Sequence, residues 1–161
     1  MQRKTLSQAE CPVARSLERV GEWWNILIMR DALHGLKRFD EFSRSLEIAP
    51  NMLTRRLNAL VDAGLLERQP YSQRPLRHEY VPTAKGEDFR VVLLAFVEWG
   101  NRHYAPEGES VQIVERESGR PLQLMMADLV DGRSVPLSRS TVQAGPAASE
   151  QMRQRLATGK A

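Results

Sequence analysis

The stretch from Arg38 to Val81 leaves this chain few folds to choose from, because its apolar residues change period within a short distance. From Arg38 to Leu46, Phe39, Phe42 and Leu46 recur at three- and four-residue spacing, which puts them on one side of a short helix. The turn Glu47-Ile48-Ala49 leads to Pro50, well suited to a first helical position because the N–H it lacks has no partner there. That helix runs to Ala63, and Gly64 supplies the stop. Leu65–Gln69 then reads as a strand, Pro70–Pro75 as a loop of turn formers and Arg77–Val81 as a returning strand. Two short helices joined by a tight turn, with a β-hairpin directly behind them, predict a helix-turn-helix carrying a wing.

The flanks supply the rest of a core. A helix is expected from Pro12, with Val13, Leu17 and Val20 at helical spacing and Gly21 ending it. A second helix, Trp23 to His34, is apolar over most of its surface and therefore central, with Gly35 as its cap. Ala84 to Tyr104 predicts one long helix with the stripe Phe89, Val92, Leu93, Phe96, Trp99, Gly100 and His103. Leu94 and Val97 form a second apolar strip off the first, so this helix needs a second surface to cover it, which points to a subunit partner. Beyond Ala105-Pro106-Glu107-Gly108 the pattern suggests small hairpins: Val111–Glu115, a turn at Ser118-Gly119, Leu122–Val130, and the turn dipeptide Asp131-Gly132. A short helical tail, Ala147 to Ala157, follows Gly145-Pro146.

The expected fold is thus mainly α with a small β content (α+β). Residues 1–10 form a flexible N-terminus, 11–104 a winged helix-turn-helix domain with dimerisation helices, 105–146 a small β extension and 147–161 a C-terminal tail. The chain has no apolar run of the roughly 18 residues that a membrane span requires. Its first residues lack the apolar core of a secretory signal, and its single cysteine allows no internal disulfide, so the expected compartment is the cytoplasm.

Net charge is only +3, but its location is informative. Residues 37–78 hold eight Lys/Arg and five Asp/Glu, so the whole excess lies there and the remainder is neutral. That is the charge distribution of a chain with one face toward a polyanion. On the fourth helix, Leu57, Leu60 and Gly64 fall within about 40° of Leu53 at 100° per residue. Asn51, Arg55, Asn58 and Asp62 fall on the opposite face with Thr54 at its edge, and Asn and Arg carry the hydrogen-bonding geometry that reads adenine and guanine edges in a major groove. Lys37, Arg38 and Arg56 flank this helix as phosphate contacts, while Arg74, Arg77 and His78 belong to the wing, suited to phosphates or a minor groove. The plain alternative for each is a solvated charge. Cys11 precedes a helix whose first-turn amides favour a thiolate, with Arg15 one turn on. It reads equally as a small structural residue. Val13, Leu17, Leu94, Phe96, Val97 and Trp99 are the expected dimerisation residues. Trp23, Trp24 and Trp99 read as core or dimer aromatics, or as the lining of a ligand pocket.

Cys11-Pro12-Val13, Trp24–Arg30, Arg38-Phe39-Asp40-Glu41-Phe42, Ile48–Leu53, Arg56-Leu57, Gly64-Leu65-Leu66, Pro75–Tyr80, Thr83-Ala84-Lys85-Gly86 and Trp99-Gly100 together resemble the HxlR-type family, in the same order over residues 11–104. The resemblance implies a winged helix-turn-helix, a homodimer joined through N- and C-terminal helices, and regulation of transcription, in some relatives through an oxidant-sensing N-terminal cysteine. Two positions depart from the pattern: Glu47 stands where relatives commonly have Gly, and Ala49 where they commonly have Ser. Ala is a poor N-cap, which removes about 1 kcal/mol of capping. Residues 113–122 and 130–146 resemble an extension that in some relatives carries cysteines; here residues 105–161 hold neither Cys nor His, so a Cys/His zinc site within that segment is excluded.

The leading expectation is a sequence-specific DNA-binding regulator acting as a homodimer on a near-palindromic duplex, with no cofactor, no metal and an unspecified small-molecule effector. The competing readings are a winged-helix protein-interaction module and a ligand-sensing regulator without a cysteine switch. An enzyme is disfavoured by the lack of a glycine-rich phosphate loop, a metal cluster or an acid/base pair.

Overall fold

The computed structural model describes residues 6–158; the expectations for residues 1–5 and 159–161 lie outside them. The elements follow in the order α1 (Pro12–Val20), α2 (Trp23–Leu33), α3 (Phe39–Leu46), α4 (Pro50–Asp62), β1 (Leu66–Gln73), β2 (Leu76–Pro82), α5 (Ala84–Asp88), α6 (Arg90–Tyr104), β3 (Met126–Ala127), β4 (Ser134–Val135) and α7 (Glu150–Thr158). The chain divides into two compact units, one ending at Phe96 and one beginning at Val97.

The first unit is a winged helix. Phe42, Ile28, Met29, Leu53, Leu57, Leu60 and Leu66 are its fully buried large side chains, drawn from α2, α3, α4 and the start of β1. Three leucines on one face of α4 fix its rotation, since exposing any of them forfeits about 2–3 kcal/mol of apolar burial. Buried Asp31 on α2 accepts a hydrogen bond from Ser45 Oγ on α3 (2.7 Å) and from Arg30 Nε (2.8 Å), so α3 is held by a polar tie as well as by Phe42.

The motif Thr83-Ala84-Lys85-Gly86 has a physical reason at three of its four positions. Thr83 Oγ1 donates to the Gly64 carbonyl (2.6 Å) and accepts from the Gly86 amide (3.1 Å), capping α5. Lys85 Nζ donates to the Ala63 carbonyl at the C-terminus of α4 (2.7 Å). Buried Gly86 leaves no room for a side chain: a Cβ there would lie 2.1 Å from the Leu65 carbonyl oxygen.

Three expectations change. The single helix expected over Ala84–Tyr104 is two, α5 and α6, broken at Phe89. Phe89 keeps near-helical dihedrals (φ −67°, ψ −14°), so the apolar stripe carries through the break and periodicity alone does not reveal it. The wing strand β1 runs on through Pro70 to Gln73, so most of the expected loop is strand. A bulge between Pro70 and Ser72 sets Tyr71 outside the register, and a proline is tolerated beside such a bulge. The turn shrinks to Arg74-Pro75, joined by a cis peptide.

The second unit contains no buried residue among those described. The strands expected at Val111–Glu115 and Leu122–Val130 reduce to the bridge Val114–Pro121 and the two-residue pairing of β3 with β4. Of their apolar residues Ile113 and Leu124 become half-buried, while Leu122, Leu129 and Val130 stay exposed. The turns do fall where glycine predicts them, at Gly119 (φ 68°) and Gly132 (φ 70°). The first is held by Glu115, whose carboxylate takes hydrogen bonds from Ser118 and from the Glu117 amide and is pulled down to about 2.

Candidate nucleic-acid interface

The interface is built on the first unit, from α3, α4 and the β1–β2 wing. Opposite its buried leucines, α4 exposes Asn51, Thr54 and Arg55. Thr54 Oγ1 donates back to the Pro50 carbonyl (2.9 Å). The Arg55 guanidinium lies against Met52 Sδ (3.7 Å). Arg74 and Arg77 are exposed around the wing turn and Lys37 precedes α3. Among the described residues, Lys37, Arg55, Arg74 and Arg77 have no carboxylate at salt-bridge distance. His78 is half-buried on β2.

Three residues expected to touch DNA are committed elsewhere. Arg56 is turned away from the exposed face: its side chain is only 13% exposed and its Nη2 pairs with Glu22 Oε2 at 3.0 Å, so it ties α4 to the α1–α2 corner rather than clamping a phosphate. Arg38 reaches across to the wing, its Nε bonding Glu79 Oε1 (3.2 Å) and its guanidinium lying 4.7 Å from the centre of the Tyr71 ring. That hydrogen bond raises the Arg38 pKa above its ordinary value. Asn58 is half-buried, its Oδ1 accepting from Arg68 Nη2 on β1 (2.5 Å).

The start of α3 is fixed by Glu41, whose Oε2 accepts from the amides of Lys37 and Arg38 (both 2.8 Å), bonds that hold its carboxyl below the usual range. Asp40 is lowered chiefly by its hydrogen bond from Arg44, which occupies that arginine within α3. Arg68, Glu79 and Tyr71 had no role in the sequence reading. Their signal was available only in the register of the wing, where Arg68 stands opposite Tyr80 and Gln69 opposite Glu79.

Away from this face, Val13, Leu17, Val92 and Phe96 border an open apolar groove of about 550 Å³ between α1, α5 and α6. Val13 is 66% exposed, while Leu17 and Phe96 are each 49% exposed. Leu94 and Val97 are half-buried, and Trp99, in the second unit, is exposed against Tyr104 and His103. Cys11 is the N-cap of α1 and is half-buried, and Arg15 Nε, one turn on, donates to the Ala9 carbonyl (2.5 Å).

The profile of the HxlR-like helix-turn-helix family matches residues 19–108. The chain belongs to that family. An uncharacterized HTH-type transcriptional regulator of Mycobacterium tuberculosis is 35% identical over 135 residues, covering 83% of this chain and 85% of the relative. The structure of PA1374 of Pseudomonas aeruginosa is 82% identical with a TM-score of 0.68, over 91% of this chain and all of that one. The redox regulator HypR in its oxidized form is 36% identical with a TM-score of 0.52, over 58% of this chain and 97% of that one. This HxlR-like protein is therefore a helix-turn-helix transcription regulator and not an enzyme. Among the described residues no helix is long and apolar enough to cross a membrane.

Proposed function

We propose that the protein acts in the cytoplasm as a homodimer that binds a near-palindromic duplex, with α4 in the major groove and the wing on the flank. Asn51, Thr54 and Arg55 face the base edges, and Lys37, Arg74, Arg77 and His78 lie toward phosphates or the minor groove. The observation that carries this reading is the two-sidedness of α4: three fully buried leucines on one face and, on the other, an exposed arginine that pairs with no carboxylate among the described residues. The dimer is supported by the apolar groove between α1, α5 and α6, with Val13, Leu17 and Phe96 exposed on its walls. Residues 11–104 are then the functional winged domain with its dimerisation helices, and 105–146 an accessory extension followed by the tail. A duplex titration at graded salt tests the reading. Affinity should fall linearly with log salt, and Arg74→Ala should weaken all duplexes alike and lower that slope by about 1. Affinity independent of salt would contradict it.

The similarity to a redox regulator favours a second reading, in which Cys11 senses oxidants or electrophiles. As the only thiol it would act through a bond to the second copy's Cys11 or a small-molecule cap such as glutathione. Duplex affinity of wild type and Cys11→Ser, each with and without diamide, decides it. Only wild type should respond; equal affinity in all four conditions would make Cys11 structural.

A further inference from the structure

Successive residues of a strand point to opposite faces of a hairpin, so Glu79 and Tyr80 on β2 look in opposite directions. On each of those faces an arginine links the wing to a helix. On one, Arg38, the residue that opens α3, bonds Glu79 (3.2 Å) and lies 4.7 Å from the centre of the Tyr71 ring. Tyr71 is the extra residue of the β1 bulge and Glu79 lies on β2, so Arg38 touches both strands of the wing. The main chain points the same way, since the Tyr80 amide donates to the Lys37 carbonyl (2.8 Å). On the other face, Arg68 stands opposite Tyr80, its guanidinium 6.0 Å from that ring centre, and bonds Asn58 of α4. A two-stranded hairpin has little stability of its own, and its direction must be set by what it is tied to.

We propose that Arg38 and Arg68 are positioning residues that hold the wing from its two faces, one to α3 and one to α4. Helix and wing then meet a duplex as one rigid reader with a fixed span. Asn58 serves in this device as the anchor for Arg68, and the base-reading set narrows to Asn51, Thr54 and Arg55. The inference rests on the DNA-binding reading above. It differs from a phosphate-contact role in what it predicts for pairs of residues.

The test uses the full-length protein, free and bound to its selected duplex. In the free protein, Arg38→Gln and Arg68→Gln should each speed amide hydrogen exchange in β1 and β2 severalfold while leaving α2 and α4 unchanged. On DNA, each should cost about tenfold in affinity and remove hydroxyl-radical protection at the wing flank, with the same bases preferred in the major groove. Arg68→Gln and Asn58→Leu should be non-additive, and Arg38→Glu combined with Glu79→Arg should restore part of the flank protection. Unchanged exchange in the free variants, or additive losses that lower the salt slope by about 1 per arginine, would make them ordinary phosphate contacts and overturn the proposal. Those failures leave wild-type binding intact, whereas a wild type that binds no duplex sinks the DNA-binding reading and the positioning role with it.

Discussion

Glu47 links the sequence to the energetics at the scale of a single residue. The family pattern that the sequence resembles has glycine there, a residue suited to the backbone observed: Glu47 closes α3 in the left-handed region, at φ 49° and ψ 33°. Among the described residues it is the only non-glycine with positive φ. A side chain in that region costs about 1 kcal/mol or slightly more, so Glu47→Gly should raise stability by about 1 kcal/mol in urea unfolding. No gain would mean that Glu47 is held there by contacts that offset the strain. Ala49, the other departure, caps α4 without any side-chain hydrogen bond. The roles of charged residues were less legible than these backbone positions. Arg55 and Arg56 are neighbours in sequence, yet one is exposed and the other pairs with Glu22 thirty-four residues away. A helical wheel gives the direction of a side chain, but not the partner that a distant corner of the fold brings to it.

At the scale of elements, the helices were legible because each combines an apolar stripe with punctuation. Pro12 and Pro50 open α1 and α4, and Gly64, at φ 71°, follows the end of α4. The wing was only half legible. Proline, serine and glutamine in residues 70–75 read as loop, but β2 supplies hydrogen-bond partners that hold the same residues extended as far as Gln73. The extension was the least legible part, since alternation implies a buried face and none forms within its unit. The junction between wing and α5 gives a sharp prediction. Gly86 is pressed against the Leu65 carbonyl, with the Met29 Cε only 3.3 Å from where a Cβ would stand. Gly86→Ala should therefore destabilise by about 1–3 kcal/mol, as overpacking does, although alanine is the better helix former. Thermal unfolding checks it, and an unchanged or raised Tm would show that the junction yields at no cost.

For the whole molecule the main consequence is symmetry. A groove walled by half-exposed Val13, Leu17, Val92 and Phe96 is a large apolar surface for a lone protomer, and a second copy is the occupant proposed for it. The protein should sediment as a dimer at micromolar concentration, and Phe96→Asp should shift it toward monomer; a monomeric wild type would remove the reason to expect a palindromic site. The central claim is that the exposed face of α4 reads bases, and selection of bound fragments from a genomic DNA pool tests it most directly. Wild type should enrich two half-sites related by near two-fold symmetry, about one helical turn or a multiple of it apart. Arg55→Ala should bind those sites about 1–3 kcal/mol more weakly and lose its preference at one position in each half-site. Enrichment of no common sequence, or a base preference that Arg55→Ala leaves unchanged, would contradict the account.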